Sequence, residues 1–480
     1  MIHRDLLKTD FTIEDVTYDK KPITRYNRSE FCDLIDAWKE YLYNEHGLGK
    51  GSIVGLGIVN NTAKSHALTI ACGEMGIAMV SGSIAMNPDI LTDGVVNRLE
   101  VDLCCLCNIT SKFLGGVQPV YVQREIEGHG GAQINIDEVN IEEYFGEEEP
   151  PEVELSQDDL AYITWSDGRE EDTISFQYWS HKEVLAQAHR TAILFKMNGT
   201  TGIHTFNLCH CDSFMNYMLP AYTSCEKHIV MNFWDRAQAW KPFMIKKMMK
   251  HLNTNQQKVF MIKNHETFKL LLENMSQDAI DSTLFVYPKG YVDEELHGLV
   301  QVHDAKIVVM SGDNRAKAFF LFVRYLTKTS PARENNVGKV IDNFYTLVYN
   351  SKNKLLMVSG IHDKTPTVLP HHYEKQEDGS YVKGKRINEH FHTGKVEEIL
   401  GHTEFDIFTK YGRSYLVSYQ EMHQDQYDEC MTLGFKSVKY QSRLAYCVEN
   451  LTDRYWFNLK EQFRVGFDNY EKRRTRYRDE

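Results

Sequence analysis

Asp158-Asp159-Leu160-Ala161-Tyr162-Ile163-Thr164-Trp165-Ser166-Asp167-Gly168 is the stretch whose reading decides the fold. Its aromatic and β-branched residues suit a pleated, half-buried strand. Ser166-Asp167-Gly168 then supplies turn residues. A short polar loop runs over 169–172, a second β-rich run over 173–179, then Ser180-His181, then a helix from Lys182.

Outward from this hairpin, strands and helices alternate. Phe31, Leu34, Ile35, Trp38 and Leu42 fall at helical spacing, so 29–43 is expected as a helix with Ser29 as its N-cap. A strand is expected over 52–59, a helix over 63–73 and a strand over 77–81. The same rhythm returns as strand 259–262, helix 265–274, strand 283–287 and strand 306–311. Strand–helix–strand order is the mark of an α/β domain with parallel strands. After Val337 the pattern changes to hairpin material at 344–349, 354–358 and 405–408.

Two polar breaks interrupt this order. Residues 142–154 carry seven glutamates around Pro150-Pro151 and read as an exposed acidic connection. Residues 370–388 are rich in His, Lys, Glu and Gly and read as a long loop or hairpin excursion.

The whole chain has 480 residues, 42% of them hydrophobic and 25% charged, which excludes global disorder. A formal charge of −13 disfavours nucleic acid as the main partner. The exception is the tail, where Lys472, Arg473, Arg474, Arg476 and Arg478 form a basic run, read as a solvated terminus. No apolar run reaches about 18 residues, so no membrane span is expected. Residues 1–21 are polar and lack the apolar centre of a signal peptide. The ten cysteines are scattered, and a reducing, cytoplasmic setting is expected.

The hairpin and its Ser-His pair resemble the layout around the phosphate-binding loop of the adenylate-forming superfamily. That superfamily includes acyl-CoA synthetases, nonribosomal peptide adenylation domains and luciferases. Other segments fall in the right order. Residues 24–86, with Leu48-Gly49-Lys50-Gly51 and Asn60-Asn61, resemble the family's opening unit. Residues 206–235, with Leu208-Cys209-His210, resemble its next segment. Gln257 to Ile262 and the helix through Leu270, Leu271 and Leu272 look like the elements around the acyl pocket. Asn335-Asn336-Val337-Gly338-Lys339-Val340 resembles the turn that opens the β-rich subdomain, and His392-Thr393-Gly394 resembles the start of the ribose motif.

The resemblance implies an α/β fold of mixed, mostly parallel sheets with packed helices. It assigns 1–400 to a large N-terminal domain, with an acidic linker near 142–154 and a β-rich subdomain about 335–400. Residues 401–480 become a small, shortened C-terminal α+β domain. It also implies a chemistry. A carboxylate attacks the α-phosphate of ATP and expels pyrophosphate, and the acyl-adenylate then passes its acyl group to a thiol or another acceptor. By motif position, Ser166, Gly168, Gly312, Asp313, Asn314 and Gly394 are the nucleotide-binding candidates.

Around them the charges are changed. Family members neutralise the phosphates with a loop rich in Gly, Ser and Thr plus a lysine. Here Asp167, Glu170, Glu171 and Asp172 surround a single Arg169, with no lysine. Two like charges ~4 Å apart repel by about 1 kcal/mol in water and ~4 kcal/mol near a protein surface. Those acids read either as a Mg²⁺ holder or as an exposed loop on a retired site, and the second is the expectation. Arg315 stands where the family's metal-binding acid is expected, and it offers donors only. Asp313 is a substitute if the register slips. Lys395 follows Thr393-Gly394 where an acid should accept from the ribose hydroxyls. Gly412-Arg413 is two residues off its register, and Lys436, Lys439 and Lys460 lack the Gly-Lys turn of the family's C-terminal lysine.

No residue is therefore assigned as catalytic and none as a metal ligand, and no cofactor is expected. Three readings follow. The first is an adenylate-forming-like protein that has lost carboxylate activation and serves a binding or structural role, with a protein partner or self-association. The second is a divergent ligase that uses ATP and Mg²⁺. The third is a noncatalytic sensor of a nucleotide or a small carboxylate or acyl ligand.

Remaining constellations read as structural. Cys104-Cys105-Leu106-Cys107 lies in an apolar run with no second zinc knuckle, and Cys209-His210-Cys211 has no partner motif. His371, His372, His390, His392, His402 and His423 lie in polar stretches. Met244, Met248 and Met249 with Phe243 fit one helical face of a core or interface.

Overall fold

The computed structural model describes residues 1–440 except 18–21, 58–60, 82–98, 108–131, 147–149, 167–174, 206–207, 209–212, 233–241, 263–264, 289–291, 293, 314–317, 331–335, 342–344, 350–353, 361–366, 387–395, 397–398, 402–404, 411–412, 419 and 434–436. The basic tail lies outside the described residues.

In chain order the described strands are β1 (Thr12–Thr17), β2 (Thr24–Asn27), β3 (Ile53–Leu56), β4 (Ala78–Ser81), β5 (Leu103–Leu106), β6 (Ala132–Asn135), β7 (Leu160–Ser166), β8 (Ser175–Ser180), β9 (Thr201–His204), β10 (Lys227–Asn232) and β11 (Lys258–Met261). There follow β12 (Thr283–Tyr287), β13 (Lys306–Asp313), β14 (Ala318–Leu326), β15 (Asn336–Val340), β16 (Tyr345–Tyr349), β17 (Lys354–Gly360), β18 (Thr367–Lys375), β19 (Tyr381–Arg386), β20 (Phe405–Lys410), β21 (Arg413–Ser418) and β22 (Ser437–Tyr440). The helices are α1 (Arg28–His46), α2 (Ala63–Met75), α3 (His181–Leu194), α4 (Leu219–Ser224), α5 (Pro242–Leu252), α6 (His265–Asn274), α7 (Gln277–Asp281), α8 (Glu294–His303) and α9 (Gln424–Thr432).

These strands form three sheets. One has six strands in the order β6-β5-β3-β4-β7-β8, and a large one runs β16-β17-β18-β19-β15-β14-β13-β12-β11-β9-β10-β1-β2. The third is β20-β21-β22, whose Leu416 and Val438 pack with Cys430 of α9. In the large sheet β1, β10, β9, β11, β12 and β13 are all parallel, which is the α/β class expected.

Side-chain alternation explains the layering. One face of the large sheet presents Val259, Met261, Val286, Val308 and Met310 to a core shared with Tyr162 of β7, Val184 and Ala188 of α3, and Tyr222 of α4. The other face presents Ile203, Ile229, Phe260, Phe285 and Val309 to Met248, Phe268, Ala279 and Leu296 of helices α5 to α8. A strand covered on both faces needs an almost continuous apolar run, and β11, β12 and β13 have one. Met248 and Met249 are core residues as expected, whereas the side chains of Phe243 and Met244 lie outside the described ones. Cys104 and Cys105 are buried in β5, so this run is structural, and burial pushes the Cys104 thiol up to about 12.

Several boundaries differ from the sequence reading. The cap of α1 is Asn27, not Ser29. Its Oδ1 accepts from the Glu30 N–H at 3.0 Å and the Glu30 carboxylate accepts from the Asn27 N–H at 2.7 Å. Ser180 caps α3 in the same way with Glu183, so that helix starts at His181. The described residues of 142–154 are exposed or half-buried. A 3-10 turn over Ile141–Tyr144 leads into them, buries Ile141 and sets Tyr144 edge-on to Tyr41. The 370–388 stretch is a hairpin, β18 and β19, closed by the Gln376 N–H on the Ser380 carbonyl at 2.7 Å.

Candidate functional site

The motif strands are placed by aromatic anchors. In β7, Tyr162 stacks on Phe214 at 5.2 Å between ring centres, and the Trp165 indole N–H donates to the Ser81 carbonyl at 2.6 Å. In β8, the Trp179 indole N–H donates to Thr164 Oγ1 at 3.0 Å. The two strands pair antiparallel from Leu160↔Ser180 to Ser166↔Ser175. That register assigns residues 167–174 to one eight-residue connection. Asp167, Glu170, Glu171 and Asp172 all belong to it, with Arg169 as its one basic residue. Gly168 lies there too, outside the described residues, and Ser166 is the last residue of β7.

Gly312 and Asp313 were expected beyond the end of a strand, and they lie within β13. Its pairing with β14 slips between Ser311 and Asp313, where Ser311 faces Phe322 and Asp313 faces Ala318. The extra residues of this irregularity lie on β14, where three residues separate Ala318 from Phe322, opposite Gly312 alone, which is exposed. Bulges re-aim side chains and gather near functional sites. Ser311 Oγ is buried there without a hydrogen-bond partner. Asn314, Arg315, Gly394 and Lys395 lie outside the described residues. Strand β7, which ends at Ser166, and β13, which ends at Asp313 just past Gly312, have inner side chains, Tyr162 and Met310, that belong to one core. Ligands of open α/β sheets bind beyond the carboxyl ends of strands.

The Val-Gly-Lys segment is strand, not turn. Gly338 has φ +100°, and a Cβ on it would lie 2.1 Å from the Val323 carbonyl oxygen. Asn336 accepts the Gly338 N–H at 2.8 Å and donates to Ser380 Oγ at 3.0 Å, which ties β15 to the β18–β19 turn.

By composition alone, the 167–174 connection sets four carboxylates against one guanidinium. His181, next to the hairpin, is engaged elsewhere. Its Nδ1 accepts the Ile2 N–H at 3.0 Å, and burial holds this imidazole at about 4. Among the described residues no group of three or more His, Cys, Asp or Glu is arranged to hold a metal ion. His423 caps α9, His371 lies in β18, and His390, His392, His402 and Cys209–Cys211 fall outside the described residues.

Sequence reasoning passed over the interior histidines His66, His204 and His228, all fully buried. The available signal was their place on apolar elements. His66 lies on a helix buried almost all round, and His204 and His228 lie on core strands.

Among the described residues no helix is long and apolar enough to cross a membrane. No protein-family model and no curated protein matches the chain. Solved structures do. ATP-bound MatB from Rhodopseudomonas palustris superposes with a TM-score of 0.62 at 11% identity, covering 92% of this chain and 94% of MatB. A fatty acyl CoA synthetase of Mycobacterium tuberculosis gives 0.61 at 13% identity, covering 89% and 91%. The anthranilate CoA ligase AuaEII, in complex with anthranoyl-AMP, gives 0.60 at 11% identity, covering 90% of each chain.

Proposed function

We propose that this chain, which has the fold of the adenylate-forming enzymes, does not activate carboxylates with ATP and instead serves a binding or structural role. One observation carries this reading. The Ser166↔Ser175 register closes the hairpin on a loop with four acids and one arginine. Three further sequence departures agree with it: Arg315 for a metal-binding acid, Lys395 for a ribose-binding acid, and no Gly-Lys turn near the C-terminus. Loss of one electrostatic contact at such a site often costs ~10²–10³ in rate. Such losses are not additive, but four together remove ordinary adenylation.

The large aromatic-rich body then serves contacts with a protein partner or a second copy. Isothermal titration with ATP and Mg²⁺, followed by a pyrophosphate-release assay over a panel of carboxylic acids, tests the reading. We expect no binding tighter than ~100 μM, about −5.5 kcal/mol, and no pyrophosphate. Pyrophosphate release with any acid overturns it in favour of a divergent ligase. Tight binding without release favours a nucleotide sensor.

A further inference from the structure

Three buried imidazoles meet where α2 packs on the β1–β10–β9 end of the large sheet. His204 Nε2 lies 3.1 Å from His228 Nδ1. Gly202 makes room for this pair, since a Cβ there would sit 3.3 Å from His204 Nε2 and 3.2 Å from the Ala221 Cβ. The His66 ring lies 5.1 Å from that of His204, and His228 stacks on Tyr222 at 4.1 Å. Around them Phe11 and Phe31 close the wall.

The bonding pattern is that of neutral rings. Asn61 Oδ1, an acceptor, is 3.3 Å from His66 Nε2, so that nitrogen carries the proton. His66 Nδ1 is then the acceptor for the Tyr222 hydroxyl at 3.0 Å. A second proton on His66 would reverse this bond, so that the Tyr222 oxygen accepts and its own hydrogen must find another partner inside the core. In the other pair one ring donates and the other accepts, and His228 Nε2 is buried with no partner at all.

The titratable groups facing the cluster are few. They are Asp15 from β1, Tyr217 from the π-helical turn Phe214–Met218, Tyr222 from α4 and Cys225 just after it. No lysine or arginine is hydrogen-bonded to any of the three imidazoles among the described residues. Asp15 is spent on another task, since its Oδ2 accepts the Ala63 N–H at the start of α2 at 2.8 Å. Burial outweighs that bond and pushes the Asp15 carboxyl up to about 7. It therefore offers no firm negative charge to a histidinium.

We propose that His66, His204 and His228 form an acid-released joint between α2 and the β1–β10–β9 end of the large sheet. Neutral rings pack and bond there, and a proton on any of them is accommodated only when the joint opens. The direction of titration agrees. Burial holds His204 at about 3, and burial together with the neighbouring imidazoles holds His66 and His228 well below the ordinary histidine value. Opened histidines take up protons below about 6.5, so opening binds three protons while Asp15 releases one. A net uptake near two makes the opening constant rise roughly 50- to 100-fold per pH unit between about 6 and 5.

Amide hydrogen exchange of the full chain at pH 6.0 and 5.0, corrected for the intrinsic pH dependence, reads this directly. Peptides over 61–75, 201–204 and 217–232 should lose protection by roughly that factor, while peptides over 258–261 and 283–287 hold theirs. In the variant His204→Gln/His228→Gln the pH-dependent loss should vanish, since His66 alone takes up one proton while Asp15 releases one. Equal loss in both sets of wild-type peptides overturns the proposal, whether or not the variant folds. Resonances assigned to His66, His204 or His228 that titrate near pH 6.5 in the still-folded chain overturn it as well.

Discussion

Replacing Arg4 with methionine isolates one buried ionic tie. The Arg4 guanidinium donates from Nε to Glu74 Oε1 at 2.8 Å and from Nη2 to Oε2 at 2.6 Å. Its Nη1 donates to Asp36 Oδ2 at 2.6 Å, and its backbone N–H adds a bond to Glu74 Oε1 at 2.8 Å. The Glu74 side chain is 3% exposed, so it cannot turn to water for replacement partners. Breaking such a pair by removing one member costs about 3–5 kcal/mol, because the other charge stays buried. Lys39 Nζ remains 3.4 Å from Glu74 Oε2 and keeps part of the compensation. We therefore expect about 3 kcal/mol from Arg4→Met in urea unfolding at pH 7.5, followed by tryptophan emission. Acid should erase the difference. Burial pushes Glu74 and Asp36 up, but Arg4's hydrogen bonds and charge outweigh it and hold both below the ordinary carboxylate range. A depressed carboxylate contributes stability above its unfolded value, and that stability is lost as pH falls through the folded one. Wild type and variant should thus begin to converge as pH falls past about 4 and meet only below the depressed folded values. The double variant Arg4→Met/Glu74→Met should return to within ~1 kcal/mol of wild type, since an apolar pair replaces a buried ionic one. A loss under 1 kcal/mol at pH 7.5, or an equal loss at pH 3.5, would refute the reasoning.

Two further substitutions probe the elements that carry the motifs. Gly338→Ala places a methyl on the Val323 carbonyl at a φ of +100°. It should cost more than about 3 kcal/mol, because both strain and overlap must be relieved, and the check is thermal unfolding of the purified variant or its loss from the soluble fraction. Ser180→Ala removes the cap of α3 just after the hairpin. About 1 kcal/mol in urea unfolding is expected, with unchanged ligand titrations.

What the sequence made legible follows from how each element is buried. Strands β11, β12 and β13 are covered on both faces, and their apolar runs announce them. Residues 265–274 and 283–287 were read with the bounds that the structure has. β1 was missed for a physical reason. Its alternation, Ile13 and Val16 among Thr, Glu and Asp, is broken by Asp15 on the inward face. That acid is 6% exposed because it caps α2 from across the core, and no local pattern announces a partner 48 residues away. The slip between β13 and β14 opposite Gly312 was hidden for a similar reason, since a register slip belongs to the pair of strands and not to either alone. The three interior histidines share that property. Each is an ordinary polar residue in its own segment, and their meaning arises only when α2, β9 and β10 meet. Charge in the 167–174 connection is different, because its four acids among eight residues are legible from the sequence alone. Fold-bearing positions and loop positions therefore answer to different constraints. Burial constrains the former through every neighbour they touch, while the loop that would hold phosphate answers only to the ligand it meets.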